Sequence, residues 1–220
     1  MKKLTLLAGL LMCSVILYAQ KVSNVDFTAI KKSLDAAPQL YQQLLDRFVK
    51  SDTTLTKDDY NTLYYGQCYQ KDYSPYGSDA DNLEKFRKHY DAEEYAKALP
   101  YDMKIIEKKP LDMQMTFKAL VCNHYLKDEE NKSKMGTRYN NIMLSIFESG
   151  DGKTAATAFV VMCISDEYEL MANLQVTNTS QSLVGDCDLM KLKENDLGLD
   201  KLYFNVSKPL ESMMNMFKEK

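Results

Sequence analysis

The chain has 220 residues, with 28 basic and 31 acidic side chains and a formal charge of −3. Its basic residues form no cluster, which argues against a nucleic-acid partner. Beyond the first twenty residues no apolar stretch approaches the length of a membrane span, so no membrane insertion is expected after that point.

The N-terminus predicts a secretory signal at residues 1–19. A basic start precedes an apolar run over residues 4–17, and Ala19 supplies a small residue for cleavage. The alternatives are lipidation at Cys13, where the preceding residue is large, and an uncleaved anchor, for which the run is short. Cleavage after Ala19 leaves about 201 residues and removes two lysines, so the formal charge goes from −3 to −5. We therefore expect an exported protein of the periplasm or the extracellular space.

Residues 20–150 predict an array of short helices, because their apolar residues recur at helical spacing. Two helices are expected over residues 22–50, with an interruption near Pro38. The strongest helix start is at Thr56. Asp59, three residues later, completes a capping box, and Leu55 with Tyr60 has the spacing of a hydrophobic staple.

Further helices follow in the same array. Two more cap pairs are predicted, Ser78 with Asp81 and Asp91 with Glu94. Pro100 is expected to kink or break the helix around it. Another helix opens at Pro110, and the last one ends at Gly150, which is expected to be left-handed there. Ala98 and Pro110 have the spacing of two tetratricopeptide markers, but no second copy follows at the 34-residue period, so the array is tetratricopeptide-like at best.

Residues 151–220 predict a small antiparallel sheet of three or four strands, followed by a C-terminal helix. Residues 158–164, 182–192 and 201–206 have the composition of strands, and residues 195–198 suit a hairpin connection. Residues 167–172 fit either a strand or a helical turn. Pro209 suits the first turn of the terminal helix. The predicted fold class is therefore α+β, a helical-pair array at 20–150 with the sheet region at 151–220 packed on the helices.

Four cysteines remain after the predicted signal: Cys68, Cys122, Cys163 and Cys187. An exported protein can oxidise them, and four cysteines allow three pairings. Three of the four fall on apolar helix or strand faces, which favours small buried hydrophobic residues over a disulfide framework.

Nucleotide, metal and cofactor sites are not expected. Residues 150–154 end in the Gly-Lys-Thr of a phosphate loop, but Phe147 stands where the first glycine belongs and the flanking elements are reversed. A tight turn is favoured instead. Cys122 and His124 point to different faces of a helix, so they form neither a catalytic pair nor half a metal site. We expect His124 to lie in the core, so His89 is the only other histidine that a catalytic site could use.

The chain also offers candidates for acid–base catalysis and for binding. An envelope hydrolase needs two carboxyl groups across a cleft. The carboxylates that helix caps and solvated faces do not explain lie in residues 166–169 and 186–188. Tyr65, Tyr73 and Tyr76 fall outside the apolar helical stripe, so they are the candidate binding residues.

Several short motifs are spread along the chain. They are Asp26-Phe27, Ile30-Lys31, Leu45-Asp46-Arg47-Phe48, residues 52–56 with Asp59-Tyr60, Leu63-Tyr64-Tyr65-Gly66, Tyr73-Ser74-Pro75-Tyr76, Ser149-Gly150-Asp151-Gly152 with Ala158-Phe159, Asp166-Glu167-Tyr168 and Tyr203-Phe204. Together these motifs resemble an exported Bacteroidetes family that is known as domain of unknown function 4919. Cys68 and Cys122 lie outside this pattern. The resemblance implies export and one architecture over nearly the whole mature chain, but no activity, cofactor or site residue.

The function expected from the sequence is a non-enzymatic protein-interaction or cell-envelope scaffold module. Its partner would be a protein or another envelope component. Two alternatives remain open: an envelope hydrolase acting on glycans or peptides, and a module that binds a glycan or small molecule through the tyrosine-rich loop.

Overall fold

A computed structural model describes residues 24–77 and 79–218. The predicted signal, the cleavage point at Ala19, the alternative lipidation site at Cys13 and the predicted cap at Ser78 lie outside the described residues.

Helices dominate the first two thirds of the described chain. They are α1 (Phe27–Ala36), α2 (Leu40–Val49), α3 (Lys57–Gly66), α4 (Ala80–Tyr90), α5 (Tyr95–Lys108), α6 (Met113–Tyr125) and α7 (Glu129–Ser149). Then come β1 (Phe159–Val160), α8 (Ile164–Asn173), β2 (Asn178–Val184), β3 (Cys187–Leu192), β4 (Lys201–Asn205) and α9 (Ser207–Lys218). The predicted α+β class is confirmed.

The four strands form one sheet in the order β1-β4-β3-β2. The pairs β2–β3 and β3–β4 are antiparallel, whereas β1 runs parallel to β4, with Phe159 beside Phe204. The sheet is therefore mixed and not purely antiparallel. Helix α8 carries the chain away from β1 before the three-stranded meander begins, and such a crossover permits parallel pairing.

Three strand assignments change in the structure. Of the apolar run 158–164, only Phe159 and Val160 pair as a strand, and the ambiguous residues 167–172 are helical within α8. The predicted strand 182–192 is the end of one strand and the whole of the next. Gly185 turns the chain between them with a φ of 62°, a conformation that glycine adopts without a steric penalty.

The helix starts test the capping predictions. The Thr56 capping box is confirmed, because the Asp59 N–H donates to Thr56 Oγ1 while the Thr56 N–H donates to Asp59 Oδ2. The Asp91–Glu94 cap is wrong. Helix α5 begins after Glu94, whose carboxylate is held by His89 and Lys97 instead of capping the helix. Of the kink or break expected at Pro100, the break is wrong, because α5 runs through Pro100 without interruption.

Gly150 follows α7 without the expected left-handed conformation. Its φ of −177° is extended. Glycine suits the position for a different reason: a side-chain carbon there would collide with the carbonyl oxygen of Thr157. The N–H groups of Asp151 and Gly152 both donate to that same oxygen. They are therefore not an open phosphate cradle, which agrees with the tight turn that the sequence favoured.

One main hydrophobic core contains residues from both predicted ranges. It joins Phe48, Leu63 and Ile146 of the helices to Leu202 and Phe204 of the sheet. A second, smaller core lies between α4, α5, α6 and the first part of α7. The four described cysteines are free thiols, two of them buried and two half-buried. The helical array and the sheet thus share the packing that holds the candidate site.

Candidate functional site

A cleft of about 380 Å³ opens between three segments of the chain. One wall is the tyrosine-rich loop, residues 70–77 with Asp79, and the second is the α5–α6 connection around Lys109 and Pro110. The start of α8, residues 163–165, forms the third, and α2 contributes Tyr41 and Leu45. Cleft residues therefore come from distant parts of the sequence.

The three candidate tyrosines do not share one surface. Tyr65 is 2% exposed and its hydroxyl donates to the Ser145 carbonyl, 2.8 Å away. The expectation that Tyr65 is free to bind a partner is therefore wrong, since Tyr65 packs edge-on against Tyr64 in the core. Tyr73 and Tyr76 do line the cleft together, with Tyr73 half-buried and Tyr76 44% exposed.

Hydrogen bonds and ion pairs fix the loop that carries these tyrosines. Lys109 Nζ donates to the carbonyl oxygens of Ser74 and Gly77, the first at 3.0 Å. Lys108 pairs with Asp79 at 2.6 Å. Both lysine side chains of the cleft therefore already bind groups of the protein itself. The rest of the lining is mainly apolar and comes from Leu83, Ile105, Leu111, Met115 and Ile164.

Behind the cleft, two tyrosines connect the loop and α3 to the segment that enters α8. The Tyr73 hydroxyl donates to the Met162 carbonyl at 2.7 Å. The Tyr64 hydroxyl accepts from the Met162 N–H at 3.1 Å and donates to Asp166 Oδ2 at 2.6 Å. Burial raises the pKa of Asp166 to about 7, against the lowering effect of the Tyr64 hydrogen bond. The network holds one wall of the cleft against the core.

The two carboxylate segments singled out in the sequence meet at Glu167 and Asp188. Glu167 is fully buried, and neither of its oxygens has an N–H or O–H donor within reach. Burial, and next the charge of Asp188, raises the pKa of Glu167 to about 9. Glu167 is therefore protonated at pH 7 and can donate to Asp188, which also accepts from Gln181 Nε2 at 2.7 Å.

Tyr76 lines the cleft and also lies within electrostatic range of this carboxyl pair. Burial, and then the charges of Asp188 and Glu167, raises the pKa of its hydroxyl. The pair can hold a proton next to the cleft, yet Glu167 has no exposed surface with which to touch a substrate. In this structure the pair is a buried proton-holding group and not an open acid–base site.

The other reactive groups are less well placed for catalysis. Cys163 lines the cleft, but burial raises the pKa of its thiol far above neutrality, so the thiolate nucleophile is absent at pH 7. The expectation that His124 lies in the core is wrong, because that side chain is exposed near the end of α6. His89 stacks on Tyr101. Within residues 24–77 and 79–218, no group of three His, Cys, Asp or Glu side chains could hold a metal ion.

None of the helices in the described part of the chain is long and apolar enough to cross a membrane. No curated protein and no solved structure matches this sequence. A family model described as Domain of unknown function (DUF4919) matches residues 28–215, which include every element from α2 to β4 and all the cleft residues. The chain therefore belongs to this family of unknown function.

Proposed function

We propose that this protein is an exported, non-enzymatic interaction module, and that its cleft binds an apolar side chain of a protein in the cell envelope. The observation that carries the proposal is the state of the cleft: its lysines are occupied within the protein while its apolar lining stays open. An apolar anchor in such a pocket is the usual centre of a protein–protein interface.

The alternatives need groups that the cleft does not offer freely. An anionic ligand would have to displace Asp79 from Lys108 or two loop carbonyls from Lys109. An apolar anchor gains about 25 cal/mol for each Å² of apolar surface removed from water and breaks none of these contacts. Tyr76 stands at the rim with its ring 44% exposed, where it can cover the anchor.

Export is part of this proposal and rests on residues 1–19. Mass spectrometry of the exported protein should find Gln20 as the first residue, after cleavage behind Ala19. A diacylated Cys13 would show a lipoprotein, and an intact N-terminus would show an anchor. Either result would contradict release into the periplasm or beyond.

Photo-crosslinking tests the cleft directly. We would replace Tyr76 by a photoreactive phenylalanine in the producing cells and use Tyr125, which is 59% exposed on α6 and away from the cleft, as the matched control. The expected result is a discrete protein adduct from position 76 and none from position 125. Equal adducts from both positions, or none, would refute a cleft interaction. Glycan-linked material at position 76 would favour the glycan-binding alternative.

A hydrolase is the second candidate, favoured by the convergence of Glu167 and Asp188. It requires the first turn of α8 to open so that a glycan or peptide reaches Glu167. Activity on envelope glycans or peptides that disappears in Glu167→Gln, without a fall in the melting temperature, would establish it. Absence of activity from the correctly folded protein would leave the interaction module.

A further inference from the structure

One acidic side chain lies in the second core without a partner. Asp102 of α5 is 0% exposed, and neither of its carboxyl oxygens has an N–H or O–H donor within reach. Ala98, Ile105 and Ile106 lie four residues before it and three and four residues after it, so they share its face of α5, and all three are buried in that core. Because a buried charge without a partner is very costly, the packed protein holds Asp102 as the neutral acid.

The titratable groups around Asp102 do not compensate a charge there. Tyr90 faces it from α4, and Asp112, Lys118 and Cys122 face it from the start and the body of α6; among the described residues, none of α7 acts on it. Burial, and next the charge of Asp112, raises the pKa of Asp102 from 3.8 to about 8, against the lowering effect of Lys118. The Lys118 ammonium lies over the ring of Tyr90, 4.8 Å from its centre, and does not bind the Asp102 carboxyl.

The second core can open while the main core stays packed. Among the described residues, α4 and α5 contribute no side chain to the main core, whereas α6 and α7 contribute to both. The α4–α5 pair is therefore a part of the helical array that can separate locally, at a lower cost than global unfolding. Two residues of the second core, Ile105 and Met115, also line the cleft. Separation of α5 therefore removes part of the apolar lining.

We propose that Asp102 makes the packing of α5, and with it the apolar lining of the cleft, dependent on pH. The packed state holds the neutral acid, whereas the separated state exposes Asp102 to water, where the carboxyl ionises at its ordinary value. Between pH 3.8 and about 8 the packed state therefore binds one more proton than the separated state. The stabilisation from this proton is complete below pH 3.8 and is lost as the pH rises.

The effect on the cleft follows from the same proton. Each pH unit between 3.8 and about 8 multiplies the equilibrium constant for separation of α5 about tenfold. The consequence for binding rests on the proposed function of the cleft. An apolar anchor needs the packed lining, so we expect it to bind more weakly as the pH rises.

Native-state hydrogen exchange tests this pH dependence without any partner. In the wild type, the protection factors of the Ile105 and Ile106 amides should fall about a hundredfold from pH 5 to pH 7. They should stay below the protection factor of Leu63 in the main core, because α5 separates before the protein unfolds. Asp102→Asn cannot ionise and should remove the hundredfold change, and Asp102→Ala should do the same if the Asn amide destabilises the core. Glu107→Gln, an exposed acid of the same helix, is the matched control and should behave like the wild type.

The photo-crosslinked adduct from position 76 tests the consequence for the cleft. The adduct yield of Asp102→Asn, relative to that of the wild-type background, should rise between pH 6 and pH 9, and a constant ratio would overturn the link to the cleft. Protection factors in α5 that do not change from pH 5 to pH 7, that equal those of Leu63, or that change equally in Asp102→Asn would overturn the proposal itself. Absence of adducts at every pH would instead refute the interaction at the cleft, and the exchange measurement would still decide whether Asp102 controls α5.

Discussion

Replacing Glu167 by Gln should make the protein increasingly more stable than the wild type as the pH rises. The native state holds a proton on this carboxyl up to about pH 9, while an unfolded chain releases it near the ordinary value of 4.5. The folded state therefore binds more protons between these values, so the wild-type contribution is complete below pH 4.5 and is lost as the pH rises. Gln carries a permanent amide donor that can reach Asp188 at every pH.

The size of the effect follows from the pKa change. One pKa unit corresponds to about 1.4 kcal/mol, so at pH 8, about 3.5 units above the ordinary Glu value of 4.5, Glu167→Gln should gain up to about 5 kcal/mol over the wild type. At pH 4 the two proteins should differ little. The remaining buried acids are common to both, so the difference between the two curves isolates this position.

Urea denaturation at pH 4 to 9 measures this difference. Glu130→Gln is the control, because that carboxylate is exposed on α7 and its variant should run parallel to the wild type. Curves for wild type and Glu167→Gln that stay parallel across this range would refute the reasoning, because Glu167 would then be ionised in the folded protein.

Three further variants test the local structure by denaturant titration. Thr56→Ala removes a confirmed capping box and should cost about 1 kcal/mol, and no change would mean that α3 tolerates an uncapped start. Tyr64→Phe removes a buried hydroxyl with two partners, Asp166 among them, and should cost about 2–4 kcal/mol. An isoenergetic Tyr64→Phe would show that water replaces the hydroxyl. Gly150→Ala should cost at least about 2 kcal/mol, because its new carbon meets the backbone of Thr157, and wild-type stability would disprove that close approach.

The elements that could be predicted from sequence are those governed by local chemistry. The capping box at Thr56 depends on side chains three residues apart, and helical apolar spacing locates most of the helices before residue 150. The sheet was harder to predict from the sequence. In the run 158–164, burial continues from β1 into the residues that follow it. Those residues have the same apolar composition as a strand, so the composition does not mark where β1 ends. The parallel pairing of β1 depends on contacts with residues more than forty positions away.

The candidate site could be predicted from the sequence only in part. Tyr73 and Tyr76 were identified by their place in a loop with Pro75, and they do line the cleft. Tyr65 was wrongly expected to be exposed because helical spacing assigned only the face that carries Tyr64 to the core. Helix α3 is in fact covered on more than one side, by α1, α2 and α7. Asp102 was missed altogether. It is fully buried in α5 without a hydrogen-bond partner, and burial raises its pKa to about 8.

The acids of α8 show that burial can override a local effect of the helix. Asp166 and Glu167 lie in the first helical turn, where the helix dipole favours the ionised carboxylate by about 0.3–1 kcal/mol, and such acids are ordinarily solvated. Burial works in the opposite direction. It moves the pKa of Asp166 from its ordinary value of 3.8 to about 7, which corresponds to about 4 kcal/mol in favour of the protonated form. Burial therefore outweighs the helix dipole at this position. Packing α8 against the core and the sheet turns first-turn acids into buried carboxyl groups with raised pKa values beside the cleft.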